Sequence, residues 1–267
     1  MKKYWIYLSA VATIFSCSSN PYRLSDKSYK KQLKKFQKTI AITHTSPLQN
    51  GIEPQWISTV NFNLRKPNFI IIHHTAQDSV QQTIKTFILA RTQVSAHYVI
   101  SDDGTVVQML NDYLRAWHGG NASWGKNTDI NSASIGIELD NNGSEPFSEA
   151  QINSLIALLS RLKRDYNIPT QNIIAHSDIA PTRKSDPSSL FPWKNLAELG
   201  FGLWYDTNLE KAPENFNIEQ GLRIIGYDTR NLSSAIKAFK LHYIQTEVDD
   251  VLDEKTINTI YSIYKKQ

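Results

Sequence analysis

Two histidines far apart in the chain, His73 and His176, each stand at the end of an isoleucine-rich run. The first run is Ile70-Ile71-Ile72-His73-His74-Thr75-Ala76. The second is Asn172-Ile173-Ile174-Ala175-His176-Ser177-Asp178-Ile179-Ala180-Pro181, continuing through Arg183-Lys184-Ser185-Asp186-Pro187. Apolar β-branched runs of this length read as buried strands, and the carboxyl end of such a strand is a common place for a site. Two imidazoles and one carboxylate make a three-ligand zinc site with an open fourth position, the catalytic arrangement. A lone histidine after a strand is more often a hydrogen-bonded edge residue, and no local zinc motif such as His-Glu-x-x-His is present. What favours the metal is the combination with Asp186, Glu138 and Lys184 in one domain.

The elements that must position these residues follow from periodicity. Asn68 to Ile72 reads as a fully apolar strand, and Val80, Ile84, Phe87 and Ile88 recur at helical spacing. Tyr98-Val99-Ile100 and Thr105-Val106-Val107-Gln108 flank Asp102-Asp103-Gly104, a hairpin signal. Ser134-Ile135-Gly136-Ile137-Glu138-Leu139 alternates with period 2, which puts Gly136 and Glu138 on the face opposite Ile135, Ile137 and Leu139. A helix is predicted over Ser148 to Tyr166, with Ser148 and Gln151 as a capping box and Ile152, Leu155, Ile156, Leu159 and Leu162 as one stripe. Asn172 to Ala175 is the next strand. Strands alternating with helices predict an α/β sheet covered by helices over about 61–205. The pattern lapses around 206–217, and 217–267 reads as a small all-helical domain of three helices.

Forty percent apolar and twenty percent charged residues, in a chain of 267, suit a folded core with a small second domain. The net charge of +4 is uneven: residues 22–38 carry +6, leaving −4 after residue 38. The folded domains are not basic, which argues against nucleic acid as partner. Lys2 and Lys3 precede the apolar stretch Tyr4 to Phe15, and Ser16 then precedes the only cysteine, Cys17. This resembles a bacterial lipoprotein signal over 1–17, in which the cysteine is lipidated; an ordinary secretion signal is the alternative. The apolar stretch is short for a membrane anchor, and one cysteine allows no intramolecular disulfide. Residues 18–60 read as tether and lead-in; the basic part after Cys17 suits a tether near anionic headgroups or, equally, a solvated linker or surface helix.

A family resemblance rests on several segments in order: Ile72-His73-His74-Thr75-Ala76, Ser95-Ala96-His97-Tyr98, Ala116-Trp117-His118-Gly119-Gly120, Ser134 to Leu139, Asn172 to Pro181 with Arg183-Lys184 and Asp186-Pro187, and Leu190-Phe191-Pro192-Trp193. Over roughly 68–195 the chain resembles the zinc-dependent N-acetylmuramoyl-L-alanine amidases of type 2, lipoprotein members included. They share a fold with peptidoglycan recognition proteins and phage T7 lysozyme. The resemblance implies a mixed β-sheet flanked by helices, one zinc ion held by His73, His176 and Asp186, and hydrolysis of the bond between N-acetylmuramic acid and L-alanine in peptidoglycan or muropeptides. It implies Glu138 as the catalytic glutamate and Lys184 as the accompanying lysine. His74 falls where relatives vary, and Ser188 replaces the glycine usual after Asp-Pro. His97, Trp117 and His118 are expected to bind substrate by lining the cleft, or to brace it. Residues 217–267 resemble, more loosely, a peptidoglycan-binding domain.

Taken together, these readings predict an outer-membrane lipoprotein facing the periplasm. Its partners would be peptidoglycan or muropeptides and, through the N-terminal lipid, the membrane; no protein partner is inferred. Two rivals remain: a non-catalytic peptidoglycan-binding protein on the same fold, which typically lacks a metal ligand, and a zinc peptidase acting on protein.

Overall fold

The computed structural model describes residues 20–41, 64 and 66–267. Cys17, with the rest of the signal segment, residues 18–19 and 42–60 of the lead-in, and residues 61–63 lie outside the described residues. Two units separate, 1–62 and 63–267. In the first, α1 spans Arg23–Ala41, inside the stretch read above as tether. No glycine or proline interrupts residues 22–41, and Lys, Gln and Leu are good helix formers. Among the described residues no helix is long and apolar enough to cross a membrane.

The second unit is built on a five-stranded mixed sheet of order β3-β2-β4-β1-β5. The strands are β1 (Phe69–His74), β2 (Tyr98–Ile100), β3 (Val106–Gln108), β4 (Ser134–Leu139) and β5 (Ile173–Ala175). β1 pairs in parallel with β4 and β5, β2 runs parallel to β4, and only β3 is antiparallel. The β2–β3 hairpin turns through Gly104 at φ +85°, where a Cβ would also meet the Ala150 carbonyl at 2.8 Å.

Period-2 alternation divides the sheet into two faces. Ile70, Ile72, Ile135, Ile137 and Leu139 pack against Leu155, Leu159 and Leu162 of α4 (Glu149–Tyr166) in the main core. Each such buried aliphatic side chain contributes about 1.5–3 kcal/mol. On the other face Ile71 and Ile174 join Ile130, of α3 (Ile130–Ala133), and Ile179, of α5 (His176–Ile179), in a smaller core. The next residue along that face of β1 is His73. The strand therefore continues past the predicted Ile72 and holds His73 within it, in register with Glu138 on β4.

At the start of α4, Ser148 accepts a hydrogen bond from the Gln151 amide, as predicted. The Gln151 side chain does not complete the box. It is buried and donates to the carbonyls of Ile100 and Asp140 at 2.9 and 3.1 Å, tying the helix to the ends of β2 and β4. α2 (Val80–Phe87) and the short α6 (Trp193–Glu198) complete this part.

No regular element occurs over 206–217. Three helices follow: α7 (Ile218–Ile225), α8 (Leu232–Phe239) and α9 (Glu254–Tyr264). After Phe239 the predicted second helix widens into a π-turn, Lys240–Ile244. These helices have their own core, centred on Leu222, Phe239, Tyr243, Ile260 and Ile263, and Trp204 packs against both it and the main core.

Candidate metal centre

β1 and the end of β5 deliver the two histidines side by side, because β1 and β5 are neighbours in parallel register. α5 begins at His176 itself, so the ring leaves the sheet at the first residue after β5. The loop after α5 folds back, and its Asp186 carbonyl accepts from the Ser177 amide at 2.8 Å. That return places the Asp186 carboxylate between the two rings.

Three donor atoms converge. His73 Nδ1 and His176 Nδ1 lie 2.9 Å apart, and Asp186 Oδ2 lies 3.0 Å from His176 Nδ1 and 3.2 Å from His73 Nδ1. All three residues are buried, and together they could hold a metal ion. The electrostatics suit that use, since a ligating imidazole must be neutral and a ligating carboxyl ionised. Burial, with His176 alongside, pushes His73 down to about 4. Burial opposes the charge on Asp186, but hydrogen bonds with His176 and His73 outweigh it and hold the carboxyl well below its ordinary range.

The far side of each ring is held as well. His176 Nε2 donates to the Gly119 carbonyl at 3.2 Å, and Arg183 braces that same carbonyl at 2.9 Å. His73 Nε2 meets His118 Nδ1 at 3.0 Å, His118 Nε2 meets Ser134 Oγ at 3.0 Å, and Ser134 donates to the Ile130 carbonyl at 2.6 Å. If His73, His118 and His176 each donate from Nε2, the Nδ1 atoms of His73 and His176 exchange their hydrogen bonds to Asp186 for lone pairs that, with Asp186 Oδ2, could hold a metal ion between them. Such outer partners fix the tautomer and aim of a metal ligand.

Glu138 neighbours His73 across the β1–β4 pair. Burial, then the charge of Asp186, pushes its carboxyl up to about 8, with Lys184 opposing. Lys184 is exposed on the turn before Asp186, and its charge reaches His73, His74 and Glu138.

Comparison with known proteins identifies the family. Residues 63–189 match the family described as N-acetylmuramoyl-L-alanine amidase. The chain is 33% identical over 219 residues to the N-acetylmuramoyl-L-alanine amidase AmiD of Escherichia coli, covering 70% of this chain and 78% of that one. This chain belongs to the N-acetylmuramoyl-L-alanine amidase family. A solved structure of E. coli AmiD with the substrate anhydro-N-acetylmuramic acid-L-Ala-D-γ-Glu-L-Lys matches with TM-score 0.69 at 29% identity, over 82% of this chain and 96% of that chain. AmpDh3 from Pseudomonas aeruginosa matches with TM-score 0.69 at 27% identity, over 79% and 96%. The 1,6-anhydro-N-acetylmuramyl-L-alanine amidase AmpD of Enterobacter cloacae is 40% identical over 108 residues, 40% of this chain and 58% of that one.

The remaining residues singled out in this amidase take different places. His118 is buried behind His73, and His97 is fully buried, its ring between the Leu114 carbonyl and the Gly136 amide. The His118 ring stands edge-on to His73 and to His97, the bracing place among the two that the sequence offered. Trp117 is half exposed, its amide bonded to Ser95. His74 accepts from the Ser188 amide at 3.3 Å and so braces the loop after Asp186. Ser134, Gly119 and Arg183 lay within the segments that carry the family resemblance, but the sequence assigned them no part, since their parts depend on which loops meet. Gly136 carries a signal that could have been read, as the one residue without a side chain on the site face of β4.

A Cβ on Gly136 would come within 2.4 Å of the His118 ring. Gly136→Ala is therefore expected to displace His118, release His73 Nε2 and weaken metal binding about 10–100-fold, the usual effect of losing an outer partner. Competition with a chromophoric chelator measures this, with circular dichroism to confirm the fold. Unchanged affinity would mean that His118 does not aim His73.

Proposed function

We propose that this protein is a zinc-dependent hydrolase of the amide bond between N-acetylmuramic acid and the L-alanine of the stem peptide. The single observation that carries the reading is the convergence of His73, His176 and Asp186 with Glu138 on the adjacent strand. Zinc with nitrogen and oxygen donors near 2.0–2.1 Å in tetrahedral geometry sets those donors about 3.3 Å apart. The three separations of 2.9–3.2 Å approximate one face of such a tetrahedron. Two neutral imidazoles and one carboxylate leave a bound dication with a net charge of +1. Zinc supplies Lewis acidity there, lowering the pKa of a bound water toward about 7 and polarising the substrate carbonyl.

The protein's own groups do the rest. Glu138, whose raised carboxyl the charge of a bound dication would shift back toward the ionised form, accepts a proton from the attacking water as oxygen adds to the lactyl carbonyl, then returns it to the L-alanine nitrogen as the carbon–nitrogen bond breaks. The products are a muramic acid carboxylate and a free peptide amine, so one water is consumed. Lys184 presents its ammonium to the oxyanion that develops on the carbonyl oxygen. Exposed Trp117 is available to pack on glycan or peptide, whereas His97 and His118 support the site from beneath.

Cys17 and its apolar leader support a lipid anchor, with the protein on the periplasmic face of an outer membrane, acting in wall turnover or recycling. Cys17→Ala is expected to move the protein out of the membrane fraction; retention there would contradict the anchor. For the activity, purified protein is incubated with a muropeptide and the products are weighed. Cleavage at the lactyl amide supports the proposal. Binding without any cleavage would favour the non-catalytic reading, and cleavage between amino acids a peptidase.

A further inference from the structure

The C-terminal helices reach the metal centre through one buried carboxylate. Asp178, on α5 two residues after His176, has no exposed surface. Its Oδ2 accepts from the Ala175 amide at 2.8 Å and from His242 Nδ1 at 2.6 Å, and its Oδ1 accepts from the Tyr227 hydroxyl at 2.6 Å. Burial, with Asp178 beside it, holds the Tyr227 phenol well above its ordinary range, so it remains a donor. Two of the three donors to this anion thus come from beyond residue 217. An isolated buried carboxylate is far costlier than one paired and hydrogen-bonded.

The second connection is as direct. Gln245 Nε2 donates to the Ser189 and Phe191 carbonyls at 3.0 and 2.6 Å, on the loop that follows Asp186. Between these two anchors the His242 ring is stacked on Trp193 at 3.9 Å and on Tyr243 at 4.1 Å. His242 lies in the π-turn and Gln245 caps it. π-turns inside helices recur at functional sites, and this one presents both side chains to the sheet domain. The Ala175 amide that Asp178 caps belongs to the residue just before His176. The Ser177 amide, between His176 and Asp178, holds the Asp186 carbonyl. A displaced α5 would carry both donors with it.

We propose that the C-terminal helices are a structural part of the metal centre: His242 and Tyr227 through Asp178, and Gln245 through the 188–191 loop, position His176 and Asp186. They are positioning residues, since none touches substrate or metal. The proposal rests on the metal reading above and goes beyond it by making metal affinity depend on a segment that the sequence presents as a separate wall-binding module.

The test uses the full chain and reads zinc affinity by chelator competition, with circular dichroism of the metal-free protein as the measure of folding. His242→Ala and Tyr227→Phe are each expected to weaken zinc binding about 10–100-fold, and Gln245→Ala severalfold. His242→Asn, whose amide can still donate to Asp178, is expected to recover most of the loss, which a purely volumetric role for the ring would not allow. Ile224→Ala, at an exposed position of α7, serves as the control with wild-type affinity. If His242→Ala fails to fold, Tyr227→Phe and Gln245→Ala decide, because each removes hydrogen bonds without emptying the core. Wild-type affinity in those folded variants, alongside loss of zinc in His176→Ala, overturns the proposal and leaves the metal reading standing. Retention of zinc by His176→Ala overturns the metal reading itself.

Discussion

Glu138→Gln is expected to lower turnover by about 10²–10⁴, the usual contribution of a positioned general acid–base group, while zinc content and muropeptide affinity stay near wild type. The amide has nearly the shape of the carboxyl but cannot take a proton from water. Glu138 is not one of the three converging donors, so its loss leaves the metal in place. Its position in register with His73 puts it beside the site without contributing to the triangle. Steady-state kinetics on a soluble muropeptide, with metal analysis of the same sample, separates the two effects. A variant nearly as active as wild type would show that another group moves the proton. A variant that has lost zinc would show that Glu138 is a ligand.

The second large effect is on the metal. His176→Ala is expected to abolish most zinc binding, since two remaining donors cannot make the three-ligand site a catalytic zinc requires. Asp186→Asn should weaken binding as well, because a neutral amide is a poor ligand and the two Nδ1 atoms 2.9 Å apart lose the anion between them. Metal analysis after dialysis measures both. Full occupancy in His176→Ala would move the site elsewhere. The variant should remain folded, because the main core lies on the opposite face of the sheet.

Much of this arrangement is legible in the residues. The alternation of Ser134 to Leu139 placed Gly136 and Glu138 on the face opposite the main core, and strand pairing puts that face against His73. The stripe of α4 and its cap at Ser148 follow from helical spacing. The donors themselves, and Glu138 and Lys184, came from the family resemblance joined to that pattern. What sequence could not supply were contacts set by tertiary folding. His118 stands behind His73 because Gly136 leaves room for its ring, and Gln151 turns inward because two strand-end carbonyls need donors. The helix over residues 23–41 is one of two readings its sequence leaves open, because a charged stretch without helix breakers suits a surface helix as well as a tether. Asp178 lay within a recognised motif, yet its partners Tyr227 and His242 belong to the other core, and no local pattern connects them.

Activity titrated against metal content tests the account most directly. The protein is stripped with a chelator, zinc is returned in steps, and release of peptide from an anhydro-muropeptide is followed by mass. Activity should vanish on stripping and rise in proportion to zinc, reaching its maximum at about one ion per chain, with every product cut at the lactyl amide. Full activity in the stripped protein, or cleavage at a different bond, would contradict it.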